Sequence, residues 1–256
     1  MKTLLKGLNF KALLSAISEE KRALGTIPRA LLHPRETPIA RADCHKVKSN
    51  PVTKTIWGII PCCGKSRRMG TPKPMLRVGN QTFLERAIIT LKRGGCERVL
   101  VCLPEKQGPL TAKALEAGGH VLHNANPARG PISSLQIGIK HFIPEIEGAL
   151  FCPVDYPLIK VETIQKLIDN FQGSDALLSL PIFKNKRGHP VIFHKNIFEE
   201  LLEHDLSEGA RTVVLKNLSV ANLVNTEDSG VTIDIDDMVT YRKHFPNEYR
   251  HRFSAR

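Results

Sequence analysis

From Thr55 onward the chain alternates short apolar runs with longer stretches of helical periodicity, and this alternation limits what it can fold into. Residues 55–60 (Thr-Ile-Trp-Gly-Ile-Ile) form a β-type apolar run. Residues 81–93 put Phe83, Leu84, Ala87, Ile88 and Leu91 on one helical face and stop at Gly94-Gly95, the residue type that closes helices. Residues 98–103 read as a second strand closed by Pro104, residues 110–117 as a short helix before Gly118-Gly119, and residues 120–123 as a third strand. A helix over 132–142, a fourth strand over 148–153, a helix over 161–171 and a strand over 176–180 continue the pattern. Strands joined through helices run parallel, with helices on both faces. The expected fold is a Rossmann-like three-layer α/β/α domain with a mostly parallel central sheet and right-handed crossovers. Ligands in such a sheet bind at the carboxyl ends of the strands.

The first strand opens into a small cationic turn. Residues 56–76 read IWGIIPCCGKSRRMGTPKPML, with Gly64, Ser66, Arg67, Arg68, Gly70 and Lys73 close together. Glycines let backbone N–H groups approach phosphate, and Arg68 and Lys73 supply compensating charge. A P-loop is excluded on spacing: Gly64-Lys65-Ser66 matches its ending, but Gly58 lies one residue too far upstream and inside the strand. A solvated basic turn and a nucleotidyltransferase loop both remain compatible with the residues.

Four later segments carry chemistry-bearing side chains. Asp155 directly follows the fourth strand, so it faces the same crevice as the basic turn, as a metal ligand or as a turn residue. Residues 126–135 (NPARGPISSL) lead into a helix that Ser133 is expected to cap, with the helix N-terminus presented to an anion. Arg187-Gly188-His189-Pro190 reads on its own as a solvated turn, and Gly209-Ala210-Arg211 offers a guanidinium for an acidic group or a neighbouring carboxylate. Asp234-Ile235-Asp236-Asp237 clusters carboxylates where they suit either a metal or a helix N-terminus.

Together these segments resemble the MobA-like nucleotidyltransferases, and most closely the molybdenum cofactor cytidylyltransferases. Gly64, Ser66, Arg68, Met69, Gly70 and Lys73 fall in register with the family's glycine-basic loop, L-A-[AG]-G-x-S-x-R-M-G-x-x-K. Residues 152–158 are similar to its D-x-P-L element, residues 187–193 to its G-H-P-V element, residues 209–211 to G-A-R, and residues 234–237 to D-[IV]-D-T. The resemblance implies a nucleotide-diphospho-sugar transferase-like fold that moves CMP from CTP onto the phosphate of molybdopterin and releases pyrophosphate. It further implies that Arg68, Lys73 and Asp155 are catalytic and that Gly64, Ser66, Arg67, Gly70, Gly130, Ser133 and Ser134 bind nucleotide. Gly188, His189, Pro190 and Arg211 would bind the acceptor, and Asp155 and Asp236 would hold Mg²⁺. A molybdoenzyme is the implied recipient of the finished cofactor. Cys62 and Cys63 stand where the family has small residues. At the second of these positions alanine goes with cytidylyl and glycine with guanylyl transfer, so Cys63 leaves the base open. Guanylyl transfer, transfer to a sugar or alditol phosphate, and a non-catalytic nucleotide-binding maturation factor are the other readings.

The formal charge of +12 suits an acidic ligand, and a triphosphate meets that need. With one Trp and three Tyr the chain lacks the aromatic interleaving of a nucleic-acid binder. Residues 1–54 hold 11 Lys and Arg against 4 Asp and Glu. They read as a basic extension, a short amphipathic helix followed by a proline-rich linker, ahead of a transferase domain over 55–247 and a tail over 248–256. The six cysteines form no C-x-x-C pair, which argues against structural zinc and for a reducing compartment. Cys62-Cys63 reads as steric filling rather than a redox pair. No apolar run reaches the ~18 residues that span a bilayer, and Lys6, Asn9 and Lys11 interrupt any secretory core. The expected location is cytoplasmic.

Overall fold

The structure, a computed structural model, describes residues 54–64, 69–142 and 144–253. The chain divides into Met1–Asn50 and Pro51–Arg256, and the second unit carries the fold. The amphipathic helix and linker expected over 1–53 lie outside the described residues, as do Ser66, Arg67 and Arg68 of the basic turn.

In chain order the elements are β1 (Thr55–Pro61), β2 (Arg77–Val78), β3 (Gln81–Thr82), α1 (Phe83–Arg93), β4 (Arg98–Leu103), α2 (Pro109–Glu116), β5 (His120–His123), α3 (Pro131–Lys140) and β6 (Ile146–Phe151). There follow α4 (Val161–Gln172), β7 (Leu178–Phe183), β8 (Lys186–Arg187), β9 (Val191–His194), α5 (Phe198–Leu202), α6 (Ala210–Lys216), β10 (Asn222–Asn225), α7 (Met238–His244) and α8 (Pro246–Phe253). The central sheet has the order β10-β7-β9-β6-β1-β4-β5, with β8 on β7, and the pairs β1–β4, β1–β6, β4–β5 and β7–β10 are parallel. The expected mostly parallel three-layer fold is therefore present.

β1 is central because both its faces are apolar. Ile56 and Ile60 enter the core layer that contains Phe83, Leu84, Leu91, Ile164 and Phe171 of α1 and α4, while Trp57 and Ile59 enter the opposite layer with Leu135 and Ile139 of α3. This is the period-2 alternation of a strand covered on both sides. From β1 the chain steps outward to β4 and β5, then returns to add β6 on the other flank. The crevice beyond the carboxyl ends of β1 and β6 is thus a topological switch point, the place where open α/β sheets bind ligands.

Four details differ from the sequence expectation. The helix expected from residue 132 starts at Pro131, with Gly130 as N-cap, and the strand expected over 176–180 is shifted to Leu178–Phe183. Val191–His194 is a strand that runs antiparallel between β6 and β7. Helix α8 crosses the 247/248 boundary drawn from sequence. It belongs to the fold: Glu248 accepts from the Gly79 N–H at 2.8 Å, and Tyr249 packs against the core beside fully buried Tyr241.

The turn after β10 is fixed by one buried carboxylate. Asp228 accepts from Lys160 N at 2.8 Å, Thr163 Oγ1 at 2.7 Å and Gly230 N at 2.9 Å. Replacing it with alanine strands two buried donors and a half-buried one and is expected to cost about 2–4 kcal/mol, read as a lowered urea midpoint at unchanged slope.

Candidate active site

The loops after β1 and β6, the N-terminus of α3 with Pro127 before it, the turn at Lys73–Pro74 and the distant Asp236 enclose a cavity of about 390 Å³ at the switch point. Its lining includes Cys63, Gly64, Lys73, Gly130, Ser134, Asp155 and Asp236. Lys73 sits in a tight 3-10 turn between Pro72 and Pro74, where the chain has little freedom. Its ammonium donates to Asp155 Oδ2 at 3.0 Å and to Asp236 Oδ1. Burial alone depresses the pKa of that ammonium, but the hydrogen-bonded carboxylates of Asp236 and Asp155 outweigh it and hold the value above that of an ordinary lysine. Asp236 reaches the cavity because Ile235 N–H donates to Asp155 O at 2.9 Å, tying the loop before α7 to the loop after β6. Asp237 faces away and caps α7 through Thr240 N–H at 2.7 Å. Of the two roles considered from sequence, Asp237 fills that of a helix N-cap, while Asp236 pairs with the Lys73 ammonium in the cavity.

On the opposite wall, Gly130 takes φ +78°, a conformation that favours glycine, and forms the N-cap of α3. Ser133 does not cap this helix. Its hydroxyl lies one turn in and donates back to Gly130 O at 2.7 Å, while buried Asn124 donates to both Ser133 Oγ at 2.8 Å and Ser134 Oγ at 3.1 Å. Cys63 hydrogen-bonds to Cys102 O at 3.3 Å. Burial raises the pKa of its thiol, only partly offset by hydrogen bonds with Ser134 and Asn124, so the group is neutral. Cys62 is a core residue, and burial raises its thiol further.

A second cavity, of about 410 Å³, adjoins the first through consecutive residues, since Asp155 lines one and Tyr156 the other. It is walled by Phe151, Tyr156 and Phe193, with Lys186, Arg187 and Arg211 also in its lining. The antiparallel course of β9 creates this adjacency. Val191 pairs with Phe151, so the residues entering β9 meet the residues leaving β6. His189 packs against Tyr156 with ring centroids 4.7 Å apart and the ring planes tilted by 56°. Burial lowers the pKa of His189 against the opposing pull of Asp155 and Asp234, and its buried Nδ1 has no hydrogen-bond partner. Gly188 cannot carry a side chain there, because a Cβ would lie 2.3 Å from Val231 O. Arg211 pairs with Glu208 at 3.3 Å on the exposed rim.

Residues 58–221 match the model of the MobA-like NTP transferase domain. The chain belongs to this family. It is 29% identical over 127 residues to a probable molybdenum cofactor guanylyltransferase of Rhodopirellula baltica, covering 49% of this chain and 60% of that protein. It is 25% identical over 190 residues to the nicotine blue oxidoreductase of Paenarthrobacter nicotinovorans, covering 71% and 92%. In fold it is similar to Rv0371c of Mycobacterium tuberculosis, with a TM-score of 0.64 at 22% identity, covering 76% of this chain and all of that one. A nucleotidyl transferase of Methanothermobacter thermautotroptrophicus is similar at a TM-score of 0.63 and 16% identity, covering 77% and 99%.

Within this MobA-like domain, the structure brings Gly64, Lys73, Gly130, Ser134, Asp155 and Asp236 to the first cavity and Gly188, His189 and Arg211 to the second. Gly70, at φ +58°, lies outside the lining of either cavity. Pro190 and Ser133 are buried beside the cavities rather than lining them. Asp236 lies beyond the segment that matches the family model. Sequence reasoning missed Asn124, which fixes both serines, and the parts played by Tyr156 and Lys186 in the second cavity. Tyr156 stood inside a recognised motif, but nothing in its spacing pointed to a ring contact with His189.

Proposed function

We propose that this chain transfers a nucleoside monophosphate, CMP from CTP, to the phosphate of molybdopterin with release of pyrophosphate. The observation that carries this reading is a pair of cavities lined by the consecutive residues Asp155 and Tyr156. The first, with a glycine turn, an ammonium and a helix N-terminus, suits a triphosphate. The second, with aromatic walls and guanidinium groups at its rim, suits a flat, anionic acceptor. An acceptor phosphate is already ionised at neutral pH, so its oxygen attacks the α-phosphorus without a dedicated base. The new P–O bond forms as the bond to the β-phosphate oxygen breaks, and pyrophosphate leaves with the electron pair.

The protein's task is then positioning and charge neutralisation. Backbone N–H groups around Gly64, with Ser66 and Arg68 of the same turn, hold the β- and γ-phosphates. Lys73 stays protonated at neutral pH and meets charge developing at the α-phosphate. Gly188, His189 and Arg211 position the acceptor. Asp155 and Asp236 suit Mg²⁺: Asp155 Oδ1 is buried with no hydrogen-bond partner, and Asp236 lies at the same ammonium. Among the described residues no group of three or more His, Cys, Asp or Glu gathers as a metal cage. Two carboxylates completed by phosphate oxygens and water match the habits of Mg²⁺. When bound, the ion adds positive charge against the phosphate oxygens.

The choice of CTP rests on Cys63. Its side chain lines the cavity where the guanylyl-type loop has glycine, which favours the smaller pyrimidine. The relatives named as molybdenum cofactor guanylyltransferases support the acceptor class and make GTP the competing nucleotide. Free cysteines at 62, 63, 96, 102 and 152 support a reducing, cytoplasmic setting. Among the described residues no helix is long and apolar enough to cross a membrane.

Pyrophosphate release with CTP, GTP and UTP in parallel, molybdopterin as acceptor, is the test. CTP is expected to exceed the others by about tenfold or more, the discrimination that about 1.4 kcal/mol provides. Preference for GTP would reassign the base. Activity confined to a sugar or alditol phosphate would reassign the acceptor. Tight nucleotide binding with no release would make the chain a maturation factor.

A further inference from the structure

The position of Lys73 has a meaning beyond charge neutralisation in the transfer step. Its ammonium lies between two carboxylates 81 residues apart in sequence, donating to Asp155 and to Asp236. Around this point the backbone is fixed on every side. Pro72 and Pro74 flank Lys73, with Met75 N–H bonded to Pro72 O at 2.9 Å. Asp155 O accepts from Ile235 N–H at 2.9 Å, and Asp237 anchors the following helix as its N-cap. The part free to move is the four-carbon lysine stem.

Two carboxylates held this close repel each other unless a cation stands between them. The ammonium is that cation, yet it engages Asp155 through Oδ2 and leaves buried Oδ1 without a partner. We infer that Lys73 is a place-holder for the divalent cation, keeping Asp155 and Asp236 assembled and occupied until nucleotide phosphates draw the ammonium away. A metal ion arriving alone must break both ion pairs. A metal ion arriving with a triphosphate finds the ammonium offered other anions, so metal and nucleotide load together. This rests on the assignment of Asp155 and Asp236 as metal ligands proposed above.

The experiment is Mn²⁺ titration followed by electron paramagnetic resonance, without nucleotide, on the full chain. The forms compared are wild type, Lys73→Met, Lys73→Gln and Lys73→Arg, each with and without Asp155→Asn, and circular dichroism verifies folding. Removing the competing ammonium is expected to tighten Mn²⁺ binding about tenfold or more in both Lys73→Met and Lys73→Gln, a coupling of ordinary size. Lys73→Arg keeps the charge and is expected to bind as weakly as wild type. Asp155→Asn is expected to abolish the gain. Folded neutral variants that bind Mn²⁺ no more tightly than wild type, with that binding still dependent on Asp155, overturn the place-holder and leave the ligand assignment standing. Absence of Mn²⁺ binding in every form overturns the ligand assignment and the place-holder with it.

Discussion

Lys73→Ala is expected to lower the rate of pyrophosphate release by two to three orders of magnitude while the fold survives. The size follows from losing a pre-positioned positive group at the site where charge develops, about 10²–10³-fold in comparable substitutions. Fold survival follows from where the side chain sits. Lys73 lines a cleft rather than the core, and its partners Asp155 and Asp236 keep 24% and 44% of their side-chain surface exposed, so water can solvate them once the ammonium is gone. The loss should fall on kcat more than on nucleotide KM, because the interaction strengthens as the α-phosphate becomes more negative. Steady-state release at saturating nucleotide, beside a thermal melt, measures both. Wild-type turnover in a folded alanine variant would remove Lys73 from the chemistry.

Asp155→Asn should lower turnover on the order of a hundredfold and leave the remaining activity indifferent to Mg²⁺. The amide keeps the size of the carboxylate but removes the charge that pairs with Lys73 and the oxygen pair that suits a hard cation. Full Mg²⁺-stimulated activity in this variant would show that the ion is held elsewhere. Since Lys73 and Asp155 touch, the Lys73→Ala/Asp155→Asn double variant is expected to lose less than the product of the two single effects. Strict multiplication would mean that the two side chains act independently, contrary to their 3.0 Å contact.

Strands β1, β4, β5, β6 and, with shifted bounds, β7 were legible in the sequence because each holds a short apolar run bounded by glycine or proline, and helices α1 to α4 show their own periodicity; β10, parallel to β7, was not read. β9 was read neither as a strand nor in its direction. Val191–His194 is buried throughout, and a four-residue run without alternation carries no sign of orientation. That orientation comes from pairing with β6 and β7. In the site, Lys73 and Asp155 were readable because each follows a strand at the ligand-binding end. Asp236 was recognisable only through its motif, since a backbone hydrogen bond from Ile235 to Asp155 brings it across the cleft. Ser133 misled because serine is a favoured cap, whereas Gly130 reaches a backbone conformation that lets it take the position instead. The last helix escaped notice because its tie of Glu248 to Gly79 joins residues 169 apart, and its other contact, Tyr249 on Tyr241, reaches a helix that was itself not read.

The reversed strand also separates two kinds of sequence change. Residues 184–190 form a hairpin tip and the approach to β9, with Lys184 and Asn185 both at positive φ. Because β9 is locked to β6 only from Val191 onward, residues 184–187 can be rewritten without moving the glycine turn or the lysine beside it, whereas Gly188 is held as glycine by its approach to Val231 O. With the second cavity as the proposed acceptor site, divergence toward new acceptors is expected to collect in that short hairpin, and grafting it between relatives is expected to exchange acceptor preference and leave the choice of nucleotide unchanged.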